Sequence, residues 1–136
     1  MVSAQPCLIP QMSGSLTNLS IMTAMVFVDH FSDQVYVYLM KDLMLSEPLL
    51  AKHAIEHFLA LLGVESKVYH TDNGCFADKG FRDDCTSSDQ TITFCGVGSH
   101  HQNCMAERKI KDITLGGQTL LLRAKRMFPK YISTIL

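Results

Sequence analysis

Chemistry in this sequence centres on two carboxylates, Asp72 and Glu107, with 34 residues between them. Asp72 follows a short β-branched and aromatic run and is closed off by Asn73-Gly74, which places it where a strand ends in a turn. Glu107 opens the longest helical pattern in the chain. A carboxylate at a strand end and another in the first turn of a later helix can converge on one hard divalent cation, which prefers oxygen ligands. A plainer reading stands beside this one. Asp-Asn-Gly is a common turn, and a Glu near a helix start is favoured by the helix dipole.

Positioning the two side chains falls to a short series of elements. Residues 1–20 read as an irregular arm, with two Pro, Gly14 and several Ser, Thr, Asn and Gln. Ile21 to Val28 has the length and apolar density of a buried strand, and Val35 to Met40 alternates well enough for a second. Between them Asp29 can cap its own turn. A helix starts near Ser46, with Glu47 and Pro48 in its first turn. Its apolar positions Leu50, Ala54, Phe58, Leu61 and Leu62 predict the buried face, and Gly63 ends it. Val64 to His70 is the strand that delivers Asp72. A short helix over ADKGFRDDC, a strand from Thr91 to Cys95 and a polar loop, GVGSHHQNC, follow. Cys104 to about Met127 reads as a long helix with Met105, Ile110, Ile113, Leu120, Leu121 and Ala124 as buried candidates. Gly116-Gly117 predicts a kink or a split in it, and Pro129 stops it.

Bulk composition limits the function classes. A chain of 136 residues, 47% hydrophobic, is enough for one core. A net charge of −1 from 12 basic and 13 acidic residues gives no global basic signature, so binding to nucleic acid would rest on a local patch. Five cysteines at irregular spacing without CxxC do not make a disulfide framework, which favours a reducing compartment. The opening MVSAQPCLIPQ lacks a basic region followed by an apolar core, and no apolar run approaches the roughly 20 residues of a membrane span. The expectation is an intracellular chain with no membrane partner and no small-molecule substrate.

YHTDNG, TFCGVGSHHQN and MAERKIKDI, in this order and spacing, resemble the catalytic core of retroviral-type integrases, most closely those of copia-type LTR retrotransposons. The resemblance extends to VFVDHFSDQVYVYL and AKHAIEHF and so covers nearly the whole chain. It implies an α/β, ribonuclease-H-like mixed sheet flanked by helices. It also implies metal-dependent polynucleotidyl strand transfer, with two Asp and one Glu holding Mg²⁺ or Mn²⁺, DNA as partner, a possible homodimer and a nuclear location. Asp72 and Glu107 match the second and third of those carboxylates.

The family's sheet opens with three antiparallel strands before its first helix, the first of which carries the first Asp. Only two strands are read ahead of Ser46 in this chain. The expectation is therefore that the first strand is missing, that VSAQPCLIPQMSGSLT matches the segment after the first Asp, and that the chain is truncated inside the site. The domain reading is an arm over 1–20, a core-like domain over 21–128 and a tail over 129–136. Two-ion phosphoryl transfer needs the shared carboxylate, so the fragment is expected to be inactive, with weak or lost metal binding. Asp29 or Asp33 would replace it only if the hairpin moved.

Other residues take two readings each. His100, His101 and Cys104 form HHxxC, but structural zinc wants four ligands and no nearby motif completes the set. The resemblance instead places His101, Gln102 and Asn103 in an active-site loop that meets DNA ends. Cys104 stands there where the family typically has a hinge Gly. Lys111, four residues after Glu107 on the same helix face, can reach a phosphate. Arg108, a further candidate contact to nucleic acid, points elsewhere around the helix. It joins Lys109, Arg123, Lys125, Arg126 and Lys130 in making the C-terminal third the most basic part of the chain. The alternative is a solvated face with an i,i+4 ion pair. A degenerate, non-catalytic module for nucleic-acid binding or dimerisation is the second functional reading.

Overall fold

The computed structural model describes residues 1–8, 23–41, 44, 46–72, 74–96 and 104–129. His100 to Asn103 and the side chain of Cys104, on which the zinc and hinge readings rest, lie outside that description. The elements run β1 (Val2–Leu8), β2 (Thr23–Asp29), β3 (Val35–Met40), α1 (Ser46–Leu61), β4 (Val68–Thr71), α2 (Lys79–Ser87), β5 (Thr91–Phe94) and α3 (Cys104–Met127). A single turn of 3₁₀ helix, Cys75–Ala77, precedes α2. Five strands form one mixed sheet in the order β3-β2-β1-β4-β5. β1 is antiparallel to β2 and parallel to β4, and β4 is parallel to β5.

β1 corrects the expectation of an irregular arm and a missing first strand. Val2 to Leu8 pair residue by residue with Asp29 to Thr23, and Val2 to Ala4 pair with Tyr69 to Thr71. The strand is central, and Val2, Ser3 and Ala4 are buried. Its composition hides it, because Ser and Ala are weak strand formers and Pro6 argues against a central strand. Pro6 falls past Ala4, the last residue paired with β4, in the stretch that has only one neighbour, where proline is tolerated.

Alternation along the strands divides the core between two faces. Val2, Ala4, Met25, Phe27, Met40 and Tyr69 pack under α1 and α2 with Ala51, Ile55, Leu59, Phe76, Phe81 and Cys85. Phe81 meets Phe76 and Tyr69 edge-on, with ring centroids 5.1 and 6.5 Å apart. Full burial of each such ring contributes about 1.5–3 kcal/mol. On the opposite face Val26 and Val28 pack with Ala106, and Val35, Met105 and Ile110 extend the cluster. The first turns of α3 are thereby fixed across β1 and β2.

Both long helices differ from expectation. α1 buries Pro48, Ala51, Lys52, Ile55 and Leu59, while Leu50, Leu61 and Leu62 are exposed. α3 runs unbroken through Gly116-Gly117, and beyond Ile110 it carries exposed Ile113, Leu115, Leu120 and Leu122. Gly63 closes α1 in the left-handed conformation, φ +71, the geometry that favours glycine after a helix.

Candidate functional site

The sheet's period of two determines what faces α3. Tyr69 lies in the core under α1 and α2, and Ile92 and Phe94 pack against the same core. His70 and Asp72 therefore project to the α3 face, as do Thr93 and Cys95. Register sets Ser3 beside His70 and His70 beside Thr93, a polar row across three parallel strands. Asp72 and Cys95 sit one step further, at the carboxyl ends of β4 and β5, where open α/β sheets place their ligand sites. The Cys95 N–H donates to the Thr71 carbonyl at 2.9 Å and carries the pairing past β5.

Asp72 is held by its own turn. The Gly74 N–H donates to Asp72 Oδ1 at 3.1 Å, and a Cβ added at Gly74 would stand 3.1 Å from the same oxygen. Any larger residue at 74 would crowd the carboxylate. Glu107 lies in the first turn of α3, next to buried Ala106, and is exposed. The helix dipole favours a negative charge there. Burial, then the Asp72 carboxylate and, less strongly, Glu107 push the Cys95 thiol above its ordinary range. Asp72 projects to the sheet face on which the first turns of α3 pack, and Glu107 belongs to those turns.

His70 and Cys95 form a pair that the sequence reading did not single out. His70 Nε2 is 3.4 Å from Cys95 Sγ, and His70 Nδ1 is 2.9 Å from Thr93 Oγ1. The i,i+2 spacing of His70 with Asp72 and of Thr93 with Cys95 was the only local signal that these residues share a face. Nearby, the buried Ser3 Oγ lies 2.6 Å from His30 Nε2. Burial, the N-terminal charge and His70 together hold the His30 imidazole below its ordinary range.

Asp29 and Asp33 are committed elsewhere. Asp29 Oδ2 accepts from the Ser32 N–H at 2.8 Å and from the Ser32 hydroxyl at 2.7 Å, the cap expected of this turn. Burial works to raise Asp29, but the Ser32 hydrogen bonds and the N-terminal ammonium outweigh it and hold the carboxyl low. Asp33 takes a left-handed conformation, φ 58, and forms an ion pair with Lys109 of α3. Arg108 and Lys111 are exposed beside Glu107. His101, Gln102 and Asn103 fall outside the described residues. Among the described residues no group of three His, Cys, Asp or Glu side chains converges closely enough to hold a metal ion, and no helix is long and apolar enough to cross a membrane.

No protein-family model matches the sequence, and no curated protein matches it. Solved structures do. The magnesium complex of the HTLV-2 integrase catalytic core domain, in a trimeric form, aligns with 95% of this chain and 73% of its own at 21% identity and a TM-score of 0.66. The simian T-cell lymphotropic virus intasome in complex with PP2A regulatory subunit B56 gamma aligns with 95% of this chain and 42% of its own, at 24% identity and a TM-score of 0.69. The catalytic core domain of BIV integrase aligns with 98% of this chain and 76% of its own, at 13% identity and a TM-score of 0.64. The chain therefore has the ribonuclease-H-like fold of a retroviral-type integrase catalytic core.

Proposed function

We propose that this chain is an integrase catalytic core of a copia-type LTR retrotransposon, in which Asp72 and Glu107 hold one Mg²⁺ or Mn²⁺ and Lys111 and Arg108 meet DNA phosphates. One observation carries the reading: Asp72 follows β4 on the sheet face that α3 covers, and Glu107 stands in the first turn of α3, next to Ala106, which packs against Val26 and Val28 on that face. The oxygens of the two carboxylates suit a hard divalent ion that keeps much of its water. Such an ion, when bound, polarises a phosphoryl oxygen and lowers the pKa of its water. The chain's own part is to fix Asp72 through the Gly74 turn, to hold Glu107 on a helix anchored by Ala106, and to orient a DNA strand with the α3 cations. A nuclear location is what the family resemblance implies, and a second copy is compatible with the dimeric and trimeric forms of the HTLV-2 core.

Two-ion transfer needs a further carboxylate shared between the metals. β1, next to the strand of Asp72, contains no acidic residue from Val2 to Leu8. Asp29 and Asp33 are held by Ser32 and Lys109. We therefore expect one-ion binding and DNA binding with strand transfer impaired or lost. The same bareness of β1 favours the second reading, a non-catalytic nucleic-acid-binding or dimerisation module. Mn²⁺ binding, followed through the free-ion paramagnetic resonance signal, is expected to weaken by about tenfold or more in Asp72→Asn and in Glu107→Gln. Binding that both variants leave intact would sink the metal assignment. Salt-sensitive DNA binding indifferent to EDTA and to Glu107→Gln would select the second reading.

A further inference from the structure

We propose that β3 is a docking edge for a second copy of this chain, the two β3 strands pairing antiparallel about Val37 into one continuous sheet. The contact needs neither metal nor DNA, so it stands apart from the strand-transfer reading. β3 ends the sheet, and among the described residues β2 is the only strand beside it. Its sequence, VYVYLM, holds no charge, proline or glycine. Edge strands are ordinarily guarded by charge or proline, or kept short, because their unpaired N–H and C=O groups recruit other strands. β5, at the other edge, is the shorter, with four residues against six.

Which groups stand open follows from the ladder. The Asp29 N–H donates to the Gln34 carbonyl at 3.0 Å, so these two residues form a hydrogen-bonded pair. By the alternation of an antiparallel ladder, Phe27 with Tyr36 and Met25 with Tyr38 are the next such pairs. Tyr36 and Tyr38 therefore spend their backbone groups on β2, and Val35, Val37 and Leu39 point theirs outward. The side chains of those three lie on the α3 face, where Val37 is 43% and Leu39 54% exposed. Tyr36, on the opposite face, packs on Phe58 and Phe27 with ring centroids 5.4 and 6.4 Å away. The open edge is thus apolar and held in place before anything binds.

A second copy completes it. With Val37 on a two-fold axis, Val37 faces Val37 of the second copy and Val35 faces its Leu39, so every outward N–H meets an outward C=O. Tyr36 falls opposite Tyr38 of the second copy in a non-hydrogen-bonded pair, where aromatic side chains approach closely and stabilise a ladder. Exposed Lys41, after the strand, comes beside exposed Asp33 of the second copy, before its strand. Opposite charges meet in this way at both ends of the pair. A shift of two residues moves Val35 or Leu39 off the partner strand. Because both copies use the same patch, the contact closes at a dimer.

Sedimentation of the full, reduced chain is expected to show a monomer–dimer equilibrium that EDTA leaves unchanged. Val37→Lys sets like charges opposite each other on the axis and is expected to weaken the dimer by about tenfold or more. Val37→Pro removes an N–H that β2 does not use and is expected to do the same while the monomer keeps its thermal midpoint. Val37→Cys is expected to form a disulfide between copies on oxidation, mapped by mass spectrometry, since Cα atoms in such a pair lie about 5.5 Å apart. In the unsubstituted chain, the Val37 and Leu39 amides are expected to gain protection from hydrogen exchange as concentration rises, a readout that does not depend on a variant folding. A monomer at every concentration, or a dimer indifferent to Val37→Lys and Val37→Pro, would overturn the proposal. So would a link formed by Val35→Cys in place of Val37→Cys. Amides protected equally at all concentrations would mean that the chain covers its own edge, and would overturn it too. Mn²⁺ or DNA binding lost in Asp72→Asn or Glu107→Gln leaves the dimer untouched, so the two assignments fail separately.

Discussion

Among the described residues, Lys52 is a charged side chain with no solvent exposure at the centre of four elements. Its ammonium pairs with Glu56 at 2.8 Å and with Asp84 at 2.6 Å, and lies 5.6 Å from the centre of the Tyr69 ring. The Tyr69 hydroxyl and the Gln90 amide both donate to Glu56 Oε1, at 3.0 and 2.7 Å. α1, β4, α2 and the approach to β5 are thus tied through one lysine. Lys52→Ala leaves two carboxylates without their shared cation and is predicted to cost about 3 kcal/mol, toward the lower end for a broken buried pair. Both carboxylates keep about a quarter of their exposure, which limits the loss. A urea midpoint that drops with an unchanged slope would show it.

The same network sets a pH window. Burial opposes the Lys52 charge, but its bonds to Asp84 and Glu56 outweigh that and hold it above its ordinary 10.5. Its stabilisation is complete below that value and is lost as pH rises through the raised pKa. Asp84 runs the other way. Burial would raise it, but Lys52 and His53 outweigh burial and hold it below 3.8. Its contribution is present above 3.8 and disappears as pH falls through the lowered pKa. Chemical unfolding across pH should show a plateau between these limits in the unsubstituted chain, with the alkaline loss reduced in Lys52→Ala.

At the scale of elements, α3 shows how a local rule yields to its surroundings. Gly116-Gly117 argues for a break, yet strong helix formers on both sides carry the helix through. A Cβ at either position would meet nothing within 4 Å. Gly116→Ala and Gly117→Ala are each predicted to stabilise the chain by up to about 1 kcal/mol, read as a rise in thermal midpoint. A fall would mean that the helix needs the glycines. That Asp72 follows a strand and that Glu107 stands in a helix's first turn was legible in the sequence, because a turn after a strand and the start of a helix are local signals. β1 was not, since its pairing depends on β2 and β4, while its own Pro6, Ser3 and Ala4 argue against a strand. α1 was misphased for a related reason. A charged residue, Lys52, sits on its buried face, so the exposed leucines looked like the stripe. The alignment of Ser3, His70 and Thr93 comes from register between distant segments, which no single stretch of sequence reveals.

Over the whole molecule, a net charge of −1 means that attraction to a polyanion must come from uneven distribution. Arg108, Lys111, Arg123, Lys125 and Arg126 are exposed along α3, whereas Lys109 is taken up by Asp33. A duplex laid against the Glu107 end of this helix would meet Arg108 and Lys111 through its phosphates, so binding should be weakly sequence-dependent. Each phosphate neutralised contributes about 0.9 to the slope of log affinity against log salt. The Arg108→Glu, Lys111→Glu double variant is therefore predicted to flatten that slope by about 2, measured by fluorescence anisotropy of a labelled duplex. A double variant at Arg123 and Lys125 tests the far end of the helix in the same way. If only the first variant changes the slope, DNA contacts centre on the Asp72 and Glu107 end. If neither does, α3 is not the nucleic-acid surface and the DNA-binding part of the proposed function falls with it.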